Sequence, residues 1–300
     1  MKIYCDLAAD LKSGVGSFPK GVTRNLIQGR YGIVREDITL EKRAEEETGK
    51  PAGEYYSLKC GFEKLKDAET RNYLSKSVAK ALKDLILLKK FDKKISALVV
   101  GLGNSYMTAD SLGGRTISGI LTTRQLKSNV LNDVSAISGG VSGITGIGSY
   151  EIALGLVKQI NPDILICVDS LCALSADRVG SIYQFTDTGI LPGGKNGTDG
   201  IKIDAETVGI PVIGIGVPTV VSAYKLVETV LKEEGITDDE AVDKKFGKIA
   251  GGFCGDLFVT PKEINDIIDK TSYVLALGIN YALQNSLSFE EVAELTPRRI

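Results

Sequence analysis

Hydrophobic and polar positions divide the chain into an irregular first part and a regular second part. Residues 7–66 contain few long periodic runs, which predicts a small N-terminal lobe, β-rich or irregular. From Ala68 to Lys90 apolar residues recur at spacings of three and four. This spacing is typical of a helix with one apolar face.

Four later segments are short, apolar and bounded by turn residues: 95–101, 163–169, 181–187 and 209–218. Segments without polar alternation are typical of strands that are buried on both faces of a parallel sheet. Helical patterns separate them, so right-handed crossovers are expected. The pattern predicts a three-layer α/β fold, with a twisted, mostly parallel sheet and helices on both faces.

Capping signals place three of the helices in the second part. Ser149 is the expected N-cap of a helix that runs to Ile160, and Pro218 is expected in the first turn of the next helix. Residues 233–252 are rich in charge and predict a solvated connection. A long buried helix is predicted over 260–285.

The start of this last helix carries its own signal. Thr260, Pro261 and Glu263 occupy the spacing of an N-cap, a first helical residue and the third residue of a capping box.

Length and charge limit the choice of domain number and partners. The chain has 300 residues, of which 43% are hydrophobic, with 36 basic and 38 acidic residues. We expect residues 7–300 to form one domain, with no electrostatic footprint for nucleic acid or an anionic membrane. Asp6 and Asp10 interrupt any secretory signal, and no apolar window approaches a membrane span, so a cytoplasmic location is expected.

The absence of histidine limits the possible catalytic chemistry more than any other feature of the composition. With no histidine in the chain, triads built on imidazole and nearly all catalytic zinc sites are excluded. The five cysteines form no CxxC pair, which favours reduced, buried thiols. Acid and base chemistry falls to carboxylates, lysine, tyrosine or cysteine, and no metal or other cofactor is expected.

A glycine-spaced loop follows the first strong strand. Gly101 and Gly103 resemble the start of a dinucleotide-binding fingerprint, but Tyr106 stands where the third glycine belongs. The loop is better explained as a sharp turn that leads to Asp110. On pattern alone, the N-cap of the following helix is the favoured role for Asp110, and a functional carboxylate is the alternative.

Asp169 ends the apolar segment 163–169. Ligands bind at the carboxyl edge of parallel strands, and two neighbouring strands would bring Asp110 and Asp169 to that same edge. Two close carboxyl groups hold one proton between them near neutrality. Such a pair can activate water and protonate a leaving group without histidine, which suits peptide hydrolysis.

Other side chains are expected at this edge as a substrate-lining set. Asp187, Thr188 and Gly189 belong to the glycine-rich loop 186–200, for which a flexible surface loop is an equal alternative. Arg178 follows the second strand and could contact substrate or pair with its neighbour Asp177. Asn104, in the glycine-spaced loop, completes the set.

Several stretches taken together resemble the germination protease family of spore-forming bacteria. They cover nearly the whole chain, and the ordered set is more specific than any single motif. The stretches are CDLAAD, GKPAGEYYSL, VVGLGN with TADSLGG, NPDILICVDSL, TDTGILPGG, GIPVIGIGVPTVV and VTPKEINDIIDKTSYVLALGINYAL.

The resemblance implies a fold like that of the hydrogenase maturation endopeptidases and a tetrameric assembly. It implies an endopeptidase that degrades small acid-soluble, DNA-coating spore proteins in the spore core during germination. By motif, the unusual acid protease pair proposed for the family falls on Asp110 and Asp169. This makes the catalytic role of Asp110 the favoured one, and a cap can coexist with it.

The resemblance also implies an inactive precursor that is processed near its N-terminus. Residues 6–10 match the family cleavage pattern, which predicts cleavage between Asp6 and Leu7 and a prosegment of residues 1–6. The chain departs from the family in the short prosegment, in a shortened segment before the last helix, and at Gly114, where the family usually has proline.

Three other functions remain open from the sequence. A metal-dependent maturation-type peptidase could use the same fold, although its histidine ligand is absent. A non-catalytic binding or storage protein would use both aspartates only as helix caps. A nucleotide-binding enzyme is the weakest alternative, because the fingerprint is incomplete.

Overall fold

The sequence folds around one mixed sheet. A computed structural model describes residues 18–87, 89, 94–193, 200–236, 241–242, 244–245 and 257–297. The predicted prosegment 1–6, the predicted cleavage site at Asp6 and Leu7, and most of the connection 233–252 lie outside these residues. The strands are β1 Val22–Gln28, β2 Val34–Leu40, β3 Gly53–Lys59, β4 Ser96–Gly101, β5 Asp133–Ser138, β6 Ile164–Ala173, β7 Ile182–Thr186, β8 Val212–Ser222 and β9 Phe258–Val259.

Helices separate many of these strands. Their bounds are α1 Glu45–Thr48, α2 Ala68–Leu87, α3 Leu112–Ile117, α4 Ser142–Thr145, α5 Ser149–Ile160, α6 Ala205–Val208, α7 Ala223–Glu233, α8 Ile264–Leu283 and α9 Phe289–Leu295. The helix predicted from Ala68 is confirmed as α2. Among the described residues, none of these helices is long and apolar enough to cross a membrane.

The sheet has the strand order β1-β2-β3-β7-β8-β6-β4-β5, and β9 pairs with β8. Strands β5, β4, β6 and β8 are parallel to one another. The pairs from β8 through β7, β3 and β2 to β1 are antiparallel. The α/β class is therefore confirmed, with a parallel half and an antiparallel half.

Strand β7 corrects the prediction for residues 181–187. They do form a buried strand, but it runs antiparallel to β8. A continuous apolar run reports burial on both faces and carries no information about strand direction. The N-terminal strands likewise extend the same sheet through β3, so the β-rich part predicted for residues 7–66 is continuous with the main sheet.

Three helix starts differ from the capping signals. Pro218 lies within β8, and α7 begins five residues later at Ala223, so the prediction for Pro218 is wrong. Gly148 is the N-cap of α5, and its backbone N–H donates to the Glu151 carboxylate at 2.8 Å.

The last long helix begins at Ile264, and its start has no side-chain cap. The Thr260 hydroxyl instead donates to the carbonyl of Thr219 in β8 at 2.9 Å. Tertiary hydrogen bonds thus replace local capping at this position.

Two apolar layers lie on opposite faces of the sheet. One face packs against α2, α3 and α8, in a core that includes Leu82, Leu112 and Ile268. The other face packs against α5 and α6, through Val157 and Val208. The parallel strands are covered on both faces, as expected for strands that lack polar alternation.

Candidate active site

The strands β4 and β6 end at different heights. β4 ends at Gly101, level with Val168, whereas β6 continues to Ala173. Asp169 therefore lies inside β6 and not at its end, which corrects the sequence interpretation. It is the first residue of β6 beyond its pairing with β4, and it is buried. A buried carboxyl group thus lies where the neighbouring strand turns away.

The backbone holds the Asp169 carboxyl group in place. The N–H of Ser170 donates to Asp169 Oδ1 at 2.8 Å. On its other side, Asp169 lies opposite Gly216 of β8. No sequence signal could identify Ser170 as a partner, because a main-chain N–H is present at almost every residue.

The loop after β4 turns back on itself so that Asp110 approaches Gly103. The N–H of Asn104 donates to Asp110 Oδ2 at 2.7 Å. Gly103 has φ +92°, and a Cβ atom there would lie only 2.7 Å from Asp110 Oδ1. Glycine tolerates both this dihedral and this close approach, so Gly103 positions Asp110.

The interpretation of Asp110 as a helix cap is wrong. Helix α3 begins after Ser111 without a side-chain cap. The hydrogen bond that Asp110 accepts comes from Asn104 in the loop, and not from the first turn of the helix. The carboxyl group is therefore directed towards the end of β4.

Burial also changes the protonation of Asp110. The carboxyl group is partly buried, and desolvation raises its pKa above the usual range for aspartate, although the hydrogen bond from Asn104 acts in the opposite direction. Desolvation favours the neutral form of a carboxyl group. Asp110 thus keeps its proton to a higher pH than an exposed aspartate.

Tight packing joins the loop that carries Asp110 to strand β6 next to Asp169. The N–H of Leu102 donates to the carbonyl of Val168 at 2.8 Å, directly before Asp169. A Cβ atom at Gly113 would lie 2.3 Å from the Leu102 carbonyl and 2.6 Å from that of Val168. Only glycine permits α3 to lie this close to β4 and β6. The segment 102–104 therefore contacts Val168, the residue before Asp169, through Leu102 and contacts Asp110 through Asn104.

The other residues of the predicted set divide between two places. Asn104 lies beside Asp110, and its side-chain Oδ1 accepts from the N–H of Tyr106 at 2.9 Å. Arg178 lies in a short turn beyond the carboxyl end of β6. Both residues therefore lie at the carboxyl edge of the parallel strands.

Asp187, Thr188 and Gly189 are not brought to this edge. Because β7 is antiparallel, it runs towards the amino ends of β6 and β8. Gln184 lies opposite Gly216, which places it level with Asp169, and Thr186 at the end of β7 lies opposite Gly214. The expectation that their loop faces the same edge as Asp169 is therefore wrong.

Asp187 has structural partners at its actual position. Its carboxylate accepts from the N–H of Glu54 and forms an ion pair with Lys89, each at 2.8 Å. These contacts join the end of β7 to β3 and to the residues after α2.

The acidic and cysteine side chains of the described residues do not form a metal site. Among these residues, no group of three or more cysteine, aspartate or glutamate side chains is placed to hold a metal ion. The candidate site on this part of the chain consists of the carboxyl groups of Asp110 and Asp169 and the main-chain groups that hold them.

The fold and the site are those of an α/β protein with two acidic side chains near the point where a parallel strand ends. A family model described as germination protease matches residues 21–248. The chain therefore belongs to the germination protease family, and it is a peptidase.

Individual relatives agree with this assignment. The germination protease of Clostridium tetani is 32% identical over 97% of this chain and 98% of its own length. The one from Clostridium acetobutylicum is 35% identical over 97% and 94%, respectively. The one from Bacillus cereus strain G9842 is 30% identical over 92% and 91%.

A solved structure is also similar. The [NiFe] hydrogenase maturation protease HycI from Thermococcus kodakarensis KOD1 matches with 15% identity and a TM-score of 0.34, over 71% of this chain and 99% of its own.

Proposed function

We propose that this peptidase is an endopeptidase that begins the degradation of small acid-soluble, DNA-coating spore proteins during germination. Its membership of the germination protease family supports the link to germination. The proposed substrates are small proteins that are flexible when they are not bound to DNA, so an extended segment can reach a partly buried carboxyl group. The proposed location is the spore core, and the proposed assembly is a homotetramer.

The proposed mechanism uses Asp110 and Asp169 as an acid and base pair. Asp169 accepts a proton from a water molecule, and the water oxygen attacks the carbonyl carbon of the scissile peptide bond. Asp110 donates its proton to the leaving nitrogen when the C–N bond breaks. A pair of carboxyl groups can divide these two tasks when their environments differ.

The environment of the Asp110 carboxyl group is the main support for this proposal. The Asp110 carboxyl group is held at Gly103 and Asn104, has a raised pKa, and adjoins the strand end beside buried Asp169. The raised pKa suits Asp110 to the role of the proton donor.

Replacement of either aspartate tests the mechanism. Asp110→Asn and Asp169→Asn should each lower kcat by at least about 1,000-fold, because each removes one proton-transfer group. Cleavage of a purified small acid-soluble spore protein measures the loss, and circular dichroism checks the fold. Near wild-type cleavage by both variants would contradict the assignment.

The pH profile of the wild-type enzyme provides a second readout for Asp110. Because the pKa of Asp110 is raised and its protonated form is the active one, kcat should fall as the pH rises through that pKa. Burial also raises the pKa of Glu54, which lies away from the site. Glu54→Gln is therefore the matched control, and it should leave the alkaline decline unchanged.

A further inference from the structure

Two segments at the carboxyl edge of the parallel strands expose large apolar side chains, and the first of them leads to Asp110. Tyr106 and Met107, in the loop after β4, are 87% and 59% exposed. Ile144 in α4 and Ile147 just after it, in the segment that follows β5, are 53% and 49% exposed. Large apolar groups that cluster on an exposed surface mark interaction sites more often than single ones do.

The first loop is fixed by the same hydrogen bonds that hold the Asp110 segment. Asn104 Oδ1 accepts from the N–H of Tyr106, and the Asn104 carbonyl accepts from the N–H of Met107 at 3.0 Å. The Met107 carbonyl in turn accepts from the N–H of Asp110 at 2.9 Å. The backbone that carries the two exposed side chains is therefore fixed relative to the backbone of Asp110.

The second loop leaves the sheet next to the first. Strands β4 and β5 are parallel, and Gly101 at the end of β4 pairs with Ser138 at the end of β5. The hydroxyls of Ser105 and Ser138, one from each strand exit, both lie next to Gly114 of α3. The two loops thus border one continuous part of the surface.

The charge of this surface indicates the chemistry of its ligand. Residues 102–109 and 139–148 contain no charged side chain, although 25% of the whole chain is charged. A strongly charged ligand would find no complementary group on either loop. An apolar side chain would cover Tyr106 and Met107 and would gain from their removal from water.

We propose that Tyr106 and Met107, with Ile144 and Ile147, form an apolar subsite that binds a hydrophobic side chain of an extended polypeptide next to the scissile bond. The inference rests on the proposed function, because the occupant is a segment of the substrate. It assigns substrate contact to four residues outside the predicted substrate-lining set. Their effect should be on substrate affinity and selectivity, and not on the chemical step.

Binding measurements test the subsite separately from catalysis. The probes are a fluorescein-labelled peptide with the sequence of residues 6–14 and the same peptide with serine at both leucines. Each is titrated into full-length Asp110→Asn enzyme and followed by fluorescence anisotropy. Tyr106→Ser combined with Met107→Ser should raise Kd for the leucine peptide at least about fivefold and abolish its preference over the serine peptide.

Matched controls come from the opposite edge of the sheet. Leu126 and Val130 precede β5 and are 65% and 71% exposed. Leu126→Ser combined with Val130→Ser removes similar exposed apolar groups and should leave both Kd values unchanged. Ile144→Ser combined with Ile147→Ser should weaken binding of the leucine peptide.

Several outcomes would overturn the subsite. These are equal affinity for the two peptides, no binding of either, or unchanged Kd in the Tyr106 and Met107 variant. A change in sedimentation without a change in peptide affinity would instead indicate contact between copies of the chain. Full activity of the Asp110→Asn enzyme would contradict the proposed mechanism, and the binding result would still decide the subsite.

Discussion

Gly103 shows how one residue without a side chain can determine the position of a reactive group. Its φ of +92° turns the chain after β4, and its missing Cβ leaves room for the Asp110 carboxyl and carbonyl oxygens. The sequence correctly indicated a sharp turn at this position. It could not show that the turn brings Asp110 back to Gly103, because that contact depends on how α3 packs against β4 and β6.

Gly103→Ala should therefore impair catalysis. A methyl group there would lie 2.3 Å from the Asp110 carbonyl oxygen and 2.7 Å from Oδ1, so Asp110 must move. Misplacement of a catalytic group by about 1 Å can cost about 100-fold in rate. We expect a loss of kcat of this size in the spore protein cleavage assay, with little change in KM.

Gly155→Ala is the control for this substitution. Gly155 lies within α5. Apart from its chain neighbours and the backbone of that helix, no heavy atom lies within 4 Å of a Cβ atom added there. The variant should retain wild-type kcat. A Gly103→Ala enzyme that is as active as this control would exclude the positioning role of Gly103.

At the scale of elements, α8 organises the other end of the sheet through buried amides. Gln284, just after α8, accepts from the N–H of Asn132 at 3.1 Å and donates to the Thr123 hydroxyl at 3.2 Å. Asn280 accepts from the N–H of Leu121 at 2.9 Å. These two side chains attach the segment before β5 to the helix. The sequence predicted α8 from its apolar spacing, but its amides gave no sign of their distant partners.

Gln284→Leu should lower the free energy of unfolding by about 2 kcal/mol. The substitution keeps a similar volume but leaves the buried N–H of Asn132 without its acceptor, and an unsatisfied buried group costs about 1–3 kcal/mol. Urea unfolding, followed by circular dichroism, measures the change.

The neighbouring Asn285 provides the comparison for Gln284. It is exposed, so Asn285→Leu should change the free energy of unfolding by no more than about 0.5 kcal/mol. Equal stabilities of the two variants would show that the buried hydrogen bonds of Gln284 contribute little.

At the scale of the whole molecule, the antiparallel strands β1, β2 and β3 extend the sheet that carries the site. Glu36 of β2 is buried and forms ion pairs with Arg24 of β1 and Lys59 of β3, at 2.5 Å and 2.7 Å. Cations from both neighbouring strands thus surround one buried carboxylate. Two partners offset the cost of burying its charge, and the N-terminal strands are joined to one another across the sheet.

The N-terminal segment bears on how the whole chain becomes active. We propose cleavage between Asp6 and Leu7 by the enzyme itself, because residues 6–10 match the pattern expected of its cleavage sites. Intact-mass analysis under activating conditions should show loss of residues 1–6. An unchanged N-terminus with full activity would contradict the proposal.

The Asp110→Asn enzyme is the control for this cleavage. Because it lacks the proposed acid, it should keep residues 1–6 under the same conditions. Loss of these residues from the pure Asp110→Asn enzyme would indicate a different protease or a different mechanism.

The sequence by itself determined the α/β class, the positions of four of the nine described strands, the long helices α2 and α8, and the two aspartates as candidates. These features follow from local periodicity and from residue chemistry, such as the absence of histidine. The tertiary structure was needed for three features: the mixed strand directions in the sheet, the place of Asp169 inside β6, and the position of Asp187 away from the carboxyl edge of the parallel strands. The physical reason is that strand direction and register depend on which distant segments pair, and a short apolar run fits either direction equally well.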